Sequence, residues 1–503
     1  MPAIDYTFWI LPAILATSFI TGVATFFLKE THANLRAWMN MLAAAVKVAL
    51  VVAVMEGFFS GESFEMRFSI ALGFDFLLRI DALSLLLTAL STALWFLTTL
   101  YAVGYMKGSE NLNRFFGFFS LCVTASVGVA IAGNLITFFI FYEFLTLATY
   151  PLVVHKGTER AVAAGRTYIW YTLTGGSVLF IGIVWLYVLT GPVDFTPGGV
   201  VAGLVDDHPI ELIAIFAIMM LGLGVKASLV PLHGWLPVAM IAPAPVSALL
   251  HAVAVVKAGA FGIVRVIYDV YGIAFSATLG VLTPLAVVAA ITIIYGSLRA
   301  LGQDELKKRL AYSTVSQLSY ITLGATIPGL MSTTGSLVHL IHQGVMKITL
   351  FFCAGAIQIT MGMTRVSEMS GLARRMPVTC ACFTIGAFGM IGAPPTAGFI
   401  SKWHIGVGSA QAGQEWVILV LLISSALNAA YFLPIVRSMW FGEERRFALE
   451  ASTGAGRREA HESLLVPMIV TALCSILFGL LASWSLSPLN MARIIAETLY
   501  ITE

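Results

Sequence analysis

The chain has 503 residues, 59% of them hydrophobic and only 11% charged, with a net charge of +2. Soluble domains hold roughly 45 to 50% apolar residues, so a water-soluble globule is excluded and an all-α polytopic membrane protein is expected. The near balance of charge, with basic residues lying between apolar runs, leaves no basic face for nucleic acid.

In chain order, segments near the roughly 20 residues that cross hydrocarbon follow one another, and the sequence predicts about fourteen transmembrane helices. They lie near 7–28, 37–59, 82–106, 115–132, 135–154, 168–190, 212–229, 246–271, 276–298, 310–327, 332–360, 379–405, 416–439 and 464–484. The opening MPAIDYTFWILP holds Asp5 and no cationic leader, so it reads as a first helix rather than a cleaved signal. Connections at 60–81 and 191–211 hold few basic residues, while 441–463 is charged. No linker or low-complexity tract divides the chain, which predicts one membrane domain over 1–503.

Most of the 28 basic residues fall in loops that follow odd-numbered segments, among them Lys307, Lys308 and Arg309. The opposite side has only Arg67, Arg79, Arg265 and Arg493. By the positive-inside rule both termini then lie on the non-cytoplasmic side, here of the cell (inner) membrane of a prokaryote.

Charged residues inside the apolar segments carry the functional signal. Lys47, Lys226, Lys257, Lys347 and Lys402 all sit there, with Glu56, Glu143, His251, His339 and His342. An ionisable group near a bilayer midplane costs roughly 2.5 to 3.5 kcal/mol on insertion scales, so several together point to an ion or proton path. Two of the lysines lie in stretches that cannot be ordinary helices. LGLGVKASLVPLHGWLPVAMIAPAP surrounds Lys226 with Pro231, Pro237, Pro243 and Pro245, and FGMIGAPPTAGFISKW surrounds Lys402 with Gly392, Pro394, Pro395 and Gly398. Backbone freed by proline is tolerated at membrane depth only beside protein or water, and two such helices predict a transporter built from inverted repeats.

Burial favours a neutral amine and a nearby carboxylate the charged one, so a buried Glu and Lys can be switched by small movements. Glu143 has no basic residue in its own segment, and Lys226 is the partner expected for it; the alternative is a protonated carboxyl bonded to a neighbouring hydroxyl. In SLVHLIHQGVMKITLFFCAG, His339, Gln343 and Lys347 recur at i, i+4 and i+8 with His342 beside them, a polar stripe on one helix. Such a stripe can relay protons, or its histidines can be core groups bonded to facing hydroxyls. His251 and Lys257 are six residues apart and need not share one file of water, Lys402 stands near a segment end where it could snorkel but its glycines and prolines favour a pore role, and Lys47 is either a path member or part of a structural ion pair, Glu56 nine residues on pointing to the opposite face.

Cys122, Cys353, Cys380, Cys382 and Cys474 lie in or at the ends of apolar segments with no CxxC pair, so no disulfide, metal or iron–sulfur site is expected. No phosphate loop or dinucleotide fingerprint is present, so no cofactor is expected and energy has to come from an ion gradient or from a partner's redox reaction.

The stretches LRIDALS, GVKASLVPLHGWLP, APAPVSALLHAVAVVKAGAFGIVR, GQDELKKRLAYSTVSQLSY, HLIHQGVMKITLFFCAGAI, SGLARRMP and GAPPTAGFISKW, with the Glu143 helix, resemble the antiporter-like membrane subunits. That family is shared by respiratory complex I, membrane-bound hydrogenases and the Mrp cation/proton antiporters. The likeness runs from about 78 to 437 and looks strongest to the D-type Mrp subunit, although Val238 stands where many relatives carry Asp. It implies three first helices over 1–113, inverted five-helix repeats over 114–271 and 272–440, and a cytoplasmic loop with a last helix over 441–503. It also implies a proton path with Glu143 and Lys226 at the entry, Lys257 and His251 as connectors, His339, His342 and Lys347 in the middle, and Lys402 at the exit. The functions implied are a proton-translocating subunit of a multisubunit Na+/H+ antiporter, a proton-pumping subunit of a complex I-like oxidoreductase or hydrogenase, or an energy-coupling subunit for inorganic-carbon uptake. Each implies other membrane subunits as partners.

Overall fold

Long uninterrupted apolar runs leave the backbone no partner but itself, and helices build nearly all of the computed structural model. It describes residues 6–71, 73–204, 208–443 and 458–500. Asp5 and most of the expected charged loop at 441–463 lie outside them. Helices α1 (Tyr6–Phe26) and α2 (Ala33–Phe59) lead to an antiparallel hairpin, β1 (Glu65–Ala71) and β2 (Phe74–Arg79), within a stretch expected only as a connection. Phe68 and Phe76 stack across its register, with ring centroids 4.9 Å apart.

Asp81 then starts α3 (Ala82–Tyr105) with a reciprocal cap: its carboxylate accepts from the Ser84 N–H, and its own N–H donates to Ser84 Oγ, both at 2.7 Å. Next come α4 (Leu112–Ile131), α5 (Leu135–Val153), α6 (Glu159–Thr190) and α7 (Pro209–Ala227). After a break the chain resumes as α8 (Trp235–Val238), α9 (Ala244–Ala252) and α10 (Val255–Arg265), which continues in a wider π turn over Val266–Tyr271. The short α11 (Ile273–Thr278) precedes α12 (Leu282–Leu301), α13 (Leu306–Ala325), α14 (Leu330–Met361), α15 (Pro377–Ile391), α16 (Ala397–Gln411) and α17 (Trp416–Phe441). Last are α18 (Glu462–Leu480) and α19 (Pro488–Tyr500).

Among the described residues, 12 helical spans are long and apolar enough to cross a membrane, α9 to the π turn counting as one. The other two expected spans are present in altered form. The one expected at 310–327 is α13, whose buried Ser313, Thr314, Ser316, Gln317 and Ser319 lower its hydropathy while facing protein. The one expected at 379–405 is broken into α15 and α16, with Gly392 in the left-handed region at φ 87°.

The order of elements runs twice, as α4 to α10 and as α12 to α17. Each run has a third helix of 32 residues, α6 or α14, followed by an interrupted helix with a left-handed residue at its break, Ser228 or Gly392. An odd number of crossings per run turns the second over relative to the first. α14 occupies the centre, packed by α3, α9, α13, α15, α16, α18 and α19, and is buried almost throughout.

Arg265 ties the end of α10 to the start of α3. Its guanidinium donates to Asp81 at 2.7 and 2.9 Å and to Asp269 at 2.7 Å, between the rings of Phe195 and Phe261. The sequence counts this arginine on the outer side, near the end of the segment at 246–271, and it is buried.

Candidate proton path

Glu143 on α5 and Lys226 in the last turn of α7 meet with Oε1 and Nζ 3.6 Å apart. Lys226 is fully buried; its amine also donates to the Tyr142 carbonyl and lies 3.3 Å from the Tyr142 ring centroid. A glycine makes room for the pair: a Cβ at Gly176 on α6 would run into the Glu143 carboxylate. Gly222 on α7 lies against the α6 backbone at Gly175 and Leu179, so the two helices approach closely enough for the contact to hold.

The Lys226 turn continues into the next group. Gly259 on α10 faces the backbone of Lys226 and Ala227 so closely that any side chain would displace it. Two residues before this glycine, Lys257 donates to the Leu340 carbonyl on α14 at 2.6 Å. His251 and Lys257 are on separate helices, because the chain leaves helical geometry at Val253 and Ala254. The sequence, treated as one helix, places them about 120° apart, and that relation does not hold. His251 is buried against Phe351 on α14, ring centroids 4.6 Å apart, and neither ring nitrogen has a protein partner.

The α14 stripe is present and fully buried, but its members turn to different neighbours. His339 Nδ1 is 2.7 Å from Ser401 Oγ on α16. His342 stacks on Phe478 of α18, centroids 6.0 Å apart, with both nitrogens lacking a protein partner. Lys347 donates to Ser313 Oγ at 2.5 Å and to the Leu310 carbonyl at 3.4 Å on α13. The buried amides of Gln343 and, across on α13, Gln317 also lack protein partners. Buried polar groups without partners are uncommon and fit a water-bearing interior.

Lys402 closes the series. The break at Gly392 frees the last carbonyls of α15, and Nζ donates to those of Met390 and Ile391 at 3.0 and 2.9 Å and to Ser425 Oγ at 3.3 Å. A helix C-terminus favours a cation there. At 8% exposure Lys402 is buried and does not snorkel. Tyr320 of α13 lies under it, 5.1 Å to the ring centroid.

Sequence reasoning missed the polar face of α13 that borders Lys347 and Lys402. Ser313, Gln317 and Tyr320 recur at i, i+4 and i+7 on α13, a helical period that would have marked that face as polar. It also missed the partner of Lys47. Glu56 is exposed, and among the described residues no ion pair joins it to Lys47, whose amine meets Ser18 instead.

Comparison with known proteins agrees with this architecture. Residues 132–428 match the family described as NADH:quinone oxidoreductase/Mrp antiporter, transmembrane, and residues 68–116 match the N-terminus of complex I chain 5. The chain is 34% identical over 391 residues to NADH-quinone oxidoreductase subunit N of Desulforudis audaxviator, covering 76% of this chain and 77% of that protein. It is 30% identical over 436 residues to Na+/H+ antiporter subunit A1 of Staphylococcus haemolyticus, covering 81% of this chain and 53% of that longer protein. A chain of the Mrp complex from a Dietzia species has the same fold, with a TM-score of 0.85 at 24% identity, over 99% of this chain and 98% of that one. A chain of an archaeal membrane-bound sulfane sulfur reductase superimposes almost as well, with a TM-score of 0.84 at 23% identity, over 97% and 96%. The chain belongs to the NADH:quinone oxidoreductase/Mrp antiporter family of membrane subunits.

Proposed function

We propose that this chain is the proton-translocating subunit of a multisubunit Na+/H+ antiporter, of the D type, working beside other membrane subunits. The observation that carries the reading is the buried series from Glu143 and Lys226 through Lys257 and α14 to Lys402. Beyond Lys226, its amines are held by carbonyls and hydroxyls and, among the described residues, not by carboxylates. Such an amine can release a proton without leaving an unpaired carboxylate behind, and water between the stations would carry it onward.

In this mechanism a proton arriving at Glu143 neutralises the carboxylate and weakens its hold on Lys226. Lys226 then gives its proton towards Lys257, whose altered charge is felt along α14 at His339, His342 and Lys347 with His251 alongside, and at last by Lys402. Re-ionisation of Glu143 restores the pair. The repeats are assigned to 114–271 and 272–440, with both termini on the non-cytoplasmic side, since the loop carrying Lys307, Lys308 and Arg309 is the basic one.

A redox-driven reading, as a proton-pumping subunit of a complex I-like enzyme, is favoured by the identity to subunit N. The two separate on mild detergent extraction, where flavin or iron–sulfur partners would indicate the redox complex and membrane subunits alone the antiporter. Either way, Glu143→Gln and Lys226→Ala should each lower proton transport about a hundredfold or more in complemented vesicles. Wild-type rates from both would reject the entry pair.

A further inference from the structure

Lys47, midway along α2, has no part in the path above, yet it is fully buried and its amine is bonded to a hydroxyl. Its Nζ donates to Ser18 Oγ on α1 at 2.6 Å. Ser18 Oγ is 2.7 Å from Thr124 Oγ1 on α4, and Thr124 donates to the Ser120 carbonyl at 3.1 Å. The Ser18 hydroxyl accepts from the amine, and its own hydrogen has two acceptors, Thr124 and the Leu15 carbonyl 3.3 Å away. That hydrogen points away from the amine, the order that a charged lysine imposes.

The polar file does not stop there. Ser120 Oγ donates to Asn40 Oδ1 at 2.8 Å, and Asn40 Nδ2 to the Arg36 carbonyl at 2.9 Å. Arg36 reaches Asn113 Oδ1 at 2.6 Å and lies 3.7 Å from the carboxylate of Glu30, which is half exposed at the turn between α1 and α2. Groups able to hold water or a proton thus extend from an exposed carboxylate to the middle of α2. Among the described residues no carboxylate pairs with Lys47.

A second observation lies on the opposite side. Nζ is 4.9 Å from the Trp95 ring centroid on α3. On that helix Thr88 Oγ1, Ser91 Oγ, Thr92 Oγ1 and Trp95 Nε1 are buried without a protein partner, and their i, i+3, i+4, i+7 spacing puts them on one face. α3 packs against α2 with Trp95 of this face beside Lys47, whereas it meets α14 from another side, where Leu90 lies against Gly344 and Tyr101 donates to the Phe352 carbonyl.

We propose that Lys47 is a lateral proton-loading site that exchanges protons between the Glu30 edge and the unpartnered polar face of α3. The inference rests on the transport reading above and adds a branch that the Glu143 entry does not supply. In the loading step the Ser18 hydroxyl gives its hydrogen to the neutral amine and takes one from Thr124, and Thr124 takes one from protonated water entering from the Glu30 edge, so each oxygen ends neutral. Water spans the stretch past Ser120, Asn40 and Arg36, whose carbonyl, amide and guanidinium relay no proton. The ammonium then passes one proton to water beside Thr88, Ser91 and Thr92 and returns to the neutral amine.

The test is Lys47→Arg in the intact complex, with proton transport followed in everted vesicles across a pH series. Arginine keeps the charge and the donors but retains its proton. Transport roughly tenfold slower in an assembled complex is the expected result; a wild-type rate and pH profile would overturn the branch. Should that variant fail to assemble, Ser18→Ala removes the relay hydroxyl with little change of volume. A rate about threefold lower with a displaced pH profile then supports the branch, and an unchanged rate and profile overturn it. Lys226→Ala, measured in parallel, separates the two levels of the argument. If it is inactive while Lys47→Arg is normal, only the branch fails; if both are normal, the transport reading itself fails.

Discussion

Arg265 and Lys402 are both cations sealed among helices, and they are held in opposite ways. Arg265 is matched by two carboxylates at hydrogen-bond distance and clasped by two rings, whereas Lys402 meets carbonyls, one hydroxyl and the Tyr320 ring and, among the described residues, no carboxylate. A guanidinium never releases its proton in a protein, and its planar fork suits carboxylates, so the first site is a fixed joint between α3 and α10. An amine among carbonyls can be charged or neutral without leaving an acid unpaired. Lys257 and Lys347 are held in the same manner as Lys402. The comparison separates the charge that builds the bundle from the charge that works in it.

That separation can be broken at either end. The largest expected effect is on stability: Asp81→Ala leaves Arg265 with one carboxylate and removes the cap of α3, and should destabilise the purified complex by about 3 kcal/mol. Thermal unfolding in detergent would show it, while transport per assembled complex should persist. Loss of transport at unchanged stability would place Arg265 among the working charges. Lys347→Arg should do the reverse, with assembly retained and proton flux lowered about a hundredfold. If flux survives, Lys347 belongs with the joint. A smaller change is expected from His342→Ala, a severalfold slower rate without loss of assembly; an unchanged rate would make this imidazole a packing group against Phe478. Ser313→Ala, which removes one hydrogen bond from Lys347 worth roughly 1.5 to 3 kcal/mol, should have the smallest effect on rate, read best as a displaced pH profile of transport.

The spans were legible because apolar runs of this length have few alternatives, and the pairing of Glu143 with Lys226 because a buried carboxylate needs a cation from elsewhere. The interruptions near Lys226 and Lys402 were marked by Gly and Pro. The break between His251 and Lys257 was not, since Val253 and Ala254 carry no such mark; there the Val253 carbonyl accepts from Ser126 of α4 and the Ala252 carbonyl lies against Gly344 of α14. The division of the α14 stripe among Ser401, Phe478 and Ser313 was hidden for a related reason. Periodicity shows which residues share a helix face, but not which neighbour each one meets. Lys47 illustrates the same limit, because its partner Ser18 is an ordinary residue of an apolar helix and the nearest acid in sequence, Glu56, points away.

The polarity of α13 bears on how the chain enters the bilayer. A helix so rich in serine, threonine and glutamine is a weak insertion signal on its own, and its Ser316 meets Ser297 of α12 at 2.9 Å where Gly296 lets the two backbones close together. The more apolar α12 is therefore expected to carry α13 across as a preformed helical hairpin. The hydroxyls that later hold Lys347 would then be shielded from lipid during synthesis, before the central helix arrives.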